Sequence, residues 1–122
     1  EFFVRMAYIF LIEKLRYLYY NTYMSDELKT IQEKATEVLE KYPVEYAGVF
    51  GSFARGEERS ESDVDIMIRL KPNHTFSLYD LIGVEQELAL KIGRKVDLFT
   101  EKGIDKYIRK YVMRDLRTIY SK

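Results

Sequence analysis

Residues 44–70 read VEYAGVF-GSFARGEERSES-DVDIMIRL, and this stretch decides the fold. Val44 to Phe50 is an apolar run of strand length, ended by Gly51-Ser52. Residues 53–62 are polar with Gly56 inside, a loop or short helix. Asp63 to Leu70 is a second strand. Its side chains alternate faces, so Val64, Ile66 and Ile68 share the buried one. Asp63 and Asp65 share the other, about 7 Å apart by strand rise. Two like charges repel and strands disfavour Asp, so something must compensate. A divalent cation does so directly, although a D-x-D pair is also what a solvated strand edge looks like.

Working outward, Ser25 suits a helix N-cap, and Asp26 and Glu27 suit the positive end of its dipole. Leu28, Ile31, Ala35, Val38, Leu39 and Tyr42 then recur at helical spacing until Pro43. Lys71-Pro72-Asn73 is a turn. Ser77 can cap a second long helix carrying Leu78, Leu81, Ile82, Leu88 and Ile92, with Gly93 just past its end. Lys95 to Thr100 is a third strand, and Val96 and Leu98 face the core, so Asp97 faces away. Ile104, Tyr107, Ile108, Tyr111, Val112 and Ile119 mark a final helix. The order is α-β-(α)-β-α-β-α, an α/β (α+β) fold with a small sheet and helices packed on it. Residues 1–24 form an aromatic-rich N-terminal extension, helical by composition, and 25–122 form the domain. The apolar side chains of residues 1–23 surround the helix rather than forming one stripe, so that helix must be buried or bind something. Packing on the domain or in a dimer, a role-free extension, and a membrane-surface anchor are all open to it.

Composition narrows the chemistry. The 122 residues carry twenty Lys+Arg against twenty Asp+Glu, so the chain is no generic polycation for nucleic acid. There is no Cys and one His, which excludes thiolate chemistry and His-rich zinc sites. Any metal must be held by carboxylates, which suits a hard ion such as Mg²⁺. Phe2 to Ile12 is the most apolar stretch. Arg5 interrupts it and Glu13-Lys14-Leu15-Arg16 follows, so it is too short for a membrane span. No secretory leader is legible, and the expected location is cytoplasmic.

Gly51-Ser52 after a strand can form a phosphate-binding turn, since Gly permits close backbone approach. It is not a G-x-x-x-x-G-K-[ST] loop. Asp97 could join Asp63 and Asp65 in a metal cluster, or act as the base toward an attacking hydroxyl, if the strands are neighbours. The combined string G-S-F-A-R-G-x5-S-D-V-D over Gly51 to Asp65, with Asp97 as third carboxylate, resembles the signature of the polymerase-β-like nucleotidyltransferase superfamily. It is most similar to the minimal nucleotidyltransferases, the antitoxins of HEPN/MNT pairs. The likeness spans Ser25 to Lys122 and leaves residues 1–23 outside.

The resemblance implies a mixed-sheet nucleotidyltransferase palm. Gly51 and Ser52 would hold the β- and γ-phosphates of ATP, and Asp63, Asp65 and Asp97 would hold Mg²⁺. Asp97 would also help activate the acceptor. Arg55 could meet phosphate or pair with a nearby acid, and Arg59 likewise with less support. The implied reaction is AMP transfer from ATP to a hydroxyl, a tyrosine of a cognate HEPN-type ribonuclease toxin. No direct nucleic-acid or membrane partner is implied, and self-association is left open. Transfer to a small molecule, a catalytically silent antitoxin that only binds, and a metal-dependent nuclease are the competing readings. Lys102, Lys106, Arg109, Lys110, Arg114 and Arg117 give the last helix a basic face, a solvated surface or a docking surface for an acidic partner. Phe53 reads as loop packing and His74 as a plain surface residue.

Overall fold

The computed structural model describes residues 1–23, 25–56 and 63–122; in the first helix the side chains of 1–15 and 18 are described, and in the second those from Asp26 on. The elements are α1 (Phe2–Tyr23), α2 (Ser25–Leu39), β1 (Val44–Phe50), α3 (Gly51–Ala54), β2 (Val64–Leu70), α4 (Leu78–Ile92), β3 (Val96–Thr100), a 3-10 turn (Glu101–Gly103), α5 (Lys106–Asp115) and β4 (Arg117–Ser121). The sheet order is β3-β2-β1-β4. β2 runs parallel to β3, while β1 is antiparallel to both β2 and β4.

The sheet is covered on both faces. On one, Ile31, Ala35, Val38 and Leu39 of α2 and Val84 and Leu88 of α4 bury Val44, Ala47, Val49, Val64, Ile66, Ile68, Val96 and Leu98. This is the apolar alternation of three strands meeting two amphipathic helices, and it holds most of the hydrophobic stabilisation. Phe53 of α3 is fully buried in the same core, so it is a core residue and not merely loop packing. On the other face Met67, Ile104 and Val112 form a smaller cluster with Tyr46, Phe50 and Leu116. Gly48 lies beneath it. A Cβ there would sit 2.8 Å from the Leu116 side chain and from the Tyr46 hydroxyl, so one of these would have to shift.

Three expectations change. The last helix ends at Asp115, and Ile119 belongs to β4, which pairs with the free edge of β1. The run Thr118-Ile119-Tyr120 is β-branched and aromatic, and sheet pairing outweighs the helical spacing read from Ile119. Lys102 and Arg117 therefore lie off α5, in the 3-10 turn and in β4. On α4, Leu78 and Ile82 are 70% and 44% exposed. Leu81, Leu88 and Ile92 face inward as expected, joined by Val84. The capping box at Ser77 and Asp80 and the left-handed Gly93 cap are as expected. The Ser25 cap lies outside the described side chains. His74 is an exposed turn residue.

α1 is one continuous helix, as its composition suggested, but its described apolar side chains are exposed rather than buried, Phe2, Phe3, Phe10 and Leu15 among them. Among the described residues no helix is long and apolar enough to cross a membrane.

Candidate active site

Sheet register builds the site. The end of β1 lies beside the start of β2, because the two are antiparallel and Phe50 partners Asp65. The start of β2 lies beside the start of β3, because these are parallel and Asp65 partners Asp97. Gly51, Asp63, Asp65 and Asp97 are thereby delivered to one end of the sheet by three separate strands. Val64, Val96 and Leu98 point into the larger core. Asp65 and Asp97 consequently project to the opposite face, the one that carries Met67, partnered in register by Phe99. The Phe50 and Phe99 rings lie 5.5 Å apart there, an apolar floor beside the carboxylates.

Gly51 and Asp65 are matched to one another. Gly51 has φ +77°, a left-handed conformation that glycine alone adopts readily. A Cβ built on it would run into the Asp65 carboxylate. The turn that follows, α3, carries Ser52 half-exposed at the same end.

The electrostatics follow from this crowding. Burial pushes the Asp65 carboxyl up to about 6, and the neighbouring Asp97 and Asp63 push it the same way, while Arg55 and Lys95 oppose the shift. Asp63 turns its Oδ2 to Lys95 Nζ at 3.5 Å. Lys95 is also fixed through its backbone, where its carbonyl accepts the Val64 N–H at 2.9 Å. Among the described residues no three carboxylates or imidazoles already stand together as a cation cage. What the fold brings face to face is Asp65 and Asp97, with Asp63 one pleat away on an exposed lysine. The donor set is all hard oxygen, and burial together with a surplus of negative charge raises Asp65, which is the environment a small divalent cation neutralises.

Arg55 follows α3, and its Nη1 donates to Asp115 Oδ2 at 2.8 Å. Arg59 lies outside the described residues. Of the basic face, Lys106, Arg109, Lys110 and Arg114 remain on α5. Lys106 lies over the Tyr107 ring, Lys110 and Arg114 lie over Tyr111, and Arg109 donates to the Ile104 carbonyl.

Three residues of this neighbourhood had no role in the sequence reading. Lys95 and Glu85 carry no local signal. Asp115 does: an acid in the last turn of a helix opposes the dipole there. Glu85, on α4, accepts the N–H of Leu98 at 2.8 Å. β3 is an edge strand, so this N–H belongs to the peptide that follows Asp97 and is satisfied by a side chain rather than by another strand. Glu85→Ala is expected to lower stability by about 1 kcal/mol in urea unfolding, from the loss of that bond. Glu85→Gln, which keeps an acceptor oxygen, is expected to recover most of it.

A four-stranded mixed sheet backed by helices, with paired aspartates at adjacent strand starts beside a glycine turn, is the architecture of a nucleotidyl-transferring palm. The family model described as "Polymerase beta, Nucleotidyltransferase" matches residues 33–122, and the chain belongs to that family. Two relatives refine this. A Methanocaldococcus jannaschii protein bearing the name "Putative protein adenylyltransferase" is 39% identical over 92 residues, 74% of this chain and 92% of the relative. The protein adenylyltransferase MntA of Thermococcus cleftensis is 36% identical over 80 residues, 66% of this chain and 79% of the relative. A solved complex of tri-AMPylated Shewanella oneidensis HEPN toxin with MNT antitoxin matches in fold, with TM-score 0.61 and 16% identity over 78% of this chain and 73% of that one. The chain is thus a nucleotidyltransferase enzyme, and relatives covering most of it carry the adenylyltransferase name.

Proposed function

We propose that this enzyme transfers AMP from ATP to a tyrosine hydroxyl of a cognate HEPN-type ribonuclease toxin, and in doing so acts as its antitoxin. The observation that carries the chemistry is the opposition of Asp65 and Asp97 beside Gly51. The adenylyltransferase names of the relatives and the AMPylated toxin in the solved complex support the acceptor class. Transfer that consumes ATP fits the cytoplasm.

Asp63, Asp65 and Asp97 would hold Mg²⁺, which when bound offsets the charge that builds on the phosphates. The backbone at Gly51 and Ser52 approaches the β- and γ-phosphates, and the missing side chain at 51 leaves room for the Asp65 carboxylate against that turn. Arg55 supplies a planar cation for phosphate oxygen. The acceptor oxygen attacks the α-phosphorus in line. Its proton goes to Asp97, the bond from the α-phosphorus to the bridging oxygen breaks, and pyrophosphate leaves. The apolar floor of Phe50, Met67 and Phe99 keeps the carboxylates partly desolvated, which strengthens every charge interaction at the site.

The test is to incubate the chain with ATP, Mg²⁺ and a candidate HEPN-type partner and to read intact masses. The partner should gain one or more AMP units, and neither Asp63→Ala nor Asp65→Ala should support the gain. Neutralisation of the toxin that survives both substitutions without a mass change would instead mean inhibition by occlusion.

A further inference from the structure

Asp115 is the last residue of α5, and its side chain is only 10% exposed. A carboxylate at that end of a helix meets the negative pole of the dipole, so the position is locally unfavourable. It is held by two guanidinium groups. Arg114 Nε lies 3.3 Å from Oδ1, and Arg55 Nη1 lies 2.8 Å from Oδ2. The second is the informative one. It ties the end of α5 to the turn after α3 across 60 residues of sequence, and it is part-buried. Arg55 also caps α3, whose first residue, Gly51, abuts the Asp65 carboxylate. Arg55 therefore stands between a nearly buried carboxylate on one side and the aspartates of the site on the other.

We infer that Asp115 is a positioning residue for nucleotide binding, its carboxylate fixing the plane and reach of the Arg55 guanidinium beside the phosphate end of the site. The inference rests on the reading of Arg55 as a phosphate ligand given above. An arginine on a four-residue helix and its turn has many rotamers, and a fixed carboxylate partner removes most of them before the triphosphate arrives. The helix that brings Asp115 also covers the sheet face on which Asp65 and Asp97 project, through Val112 and Leu116 against Met67. One packing contact thereby sets both the floor of the site and the position of its cation.

The test is calorimetric binding of AMP-PNP with Mg²⁺ to the full chain. Arg55→Ala should weaken binding by about a hundredfold and Asp115→Asn by about tenfold, as expected for losing a charged ligand and loosening one. On the Arg55→Ala background, Asp115→Asn should add nothing further. Asp115→Glu keeps the charge on a longer stem and should lose only a few-fold. If Asp115→Asn does not fold, the Glu variant decides, since its loss must also vanish on the Arg55→Ala background. Unchanged or tighter binding by the Asp115 variants would overturn the inference, tighter binding meaning that Asp115 competes with the nucleotide for Arg55. An equal loss with and without Arg55 would overturn it too. If Arg55→Ala itself binds normally, the inference falls with the role of Arg55. If Asp65→Ala binds normally as well, the nucleotide reading of the whole site falls.

Discussion

Asp65→Asn is expected to reduce AMP transfer by at least about a thousandfold while making the metal-free protein more stable at pH 7. The first effect follows from its place. Asp65 partners both Phe50 on β1 and Asp97 on β3, and it abuts Gly51, where a side chain would run into it. Under the proposed function, removing its charge takes away a proposed metal ligand and leaves the triphosphate charge less compensated, a loss of several kcal/mol in the transition state. The second effect has the opposite sign because the free carboxylate is a liability. Its folded value of about 6 lies above the 3.8 of an ordinary aspartate. A raised acid binds its proton more tightly when folded, so its stabilisation is complete below pH 4 and is lost as pH rises through 6. At pH 7 the ionised group destabilises the fold, by about 1 kcal/mol once solvent screening of a half-exposed site is allowed for. Urea unfolding of both proteins without Mg²⁺ should show the Asn variant ahead at pH 7 and level with the parent near pH 4. A variant less stable at both pH values would mean that Asp65 is a structural ligand rather than a strained functional one.

Gly51→Ala is expected to cost about a hundredfold in kcat/KM with a smaller loss of stability. The left-handed backbone at φ +77° penalises any Cβ by about 1 kcal/mol. The new methyl also meets the Asp65 carboxylate, with Cγ at 3.3 Å, so the carboxylate must shift from its place opposite Asp97. Displacing a reacting group by even about 1 Å is enough for a loss of that order. Steady-state kinetics beside thermal unfolding separate the two effects. Activity lost only in proportion to stability would show that Gly51 serves the turn and not the site.

The placement of the candidate carboxylates was legible for a reason that lies in periods. A strand of period two fixes which side chains share a face, so Val64, Ile66 and Ile68 against Asp63 and Asp65 could be read from the six letters Asp63 to Ile68, and the alternation of Val96, Asp97 and Leu98 added the third carboxylate. Which strand lies beside which is a property of topology, and only the register shows that Asp65 meets Asp97 while Asp63 turns toward Lys95. The same blindness to long range hid β4. Thr118-Ile119-Tyr120 is too short to separate a strand from the tail of a helix until the free edge of β1 claims it. It also hid Met67, whose burial depends on α5 folding back across the second face of the sheet. Arg55 was visible as a charge, but its partner 60 residues away was not.

The most direct measurement is transfer of label from ATP carrying it on the α-phosphate. With Mg²⁺ and the HEPN-type partner, label should move covalently to the partner, pyrophosphate should appear in equal amount, and Asp65→Asn should stop both. Label that moves only from the γ-phosphate, or α-label transfer that Asp65→Asn leaves intact, would contradict the assignment of this sheet end as a nucleotidyl-transfer site.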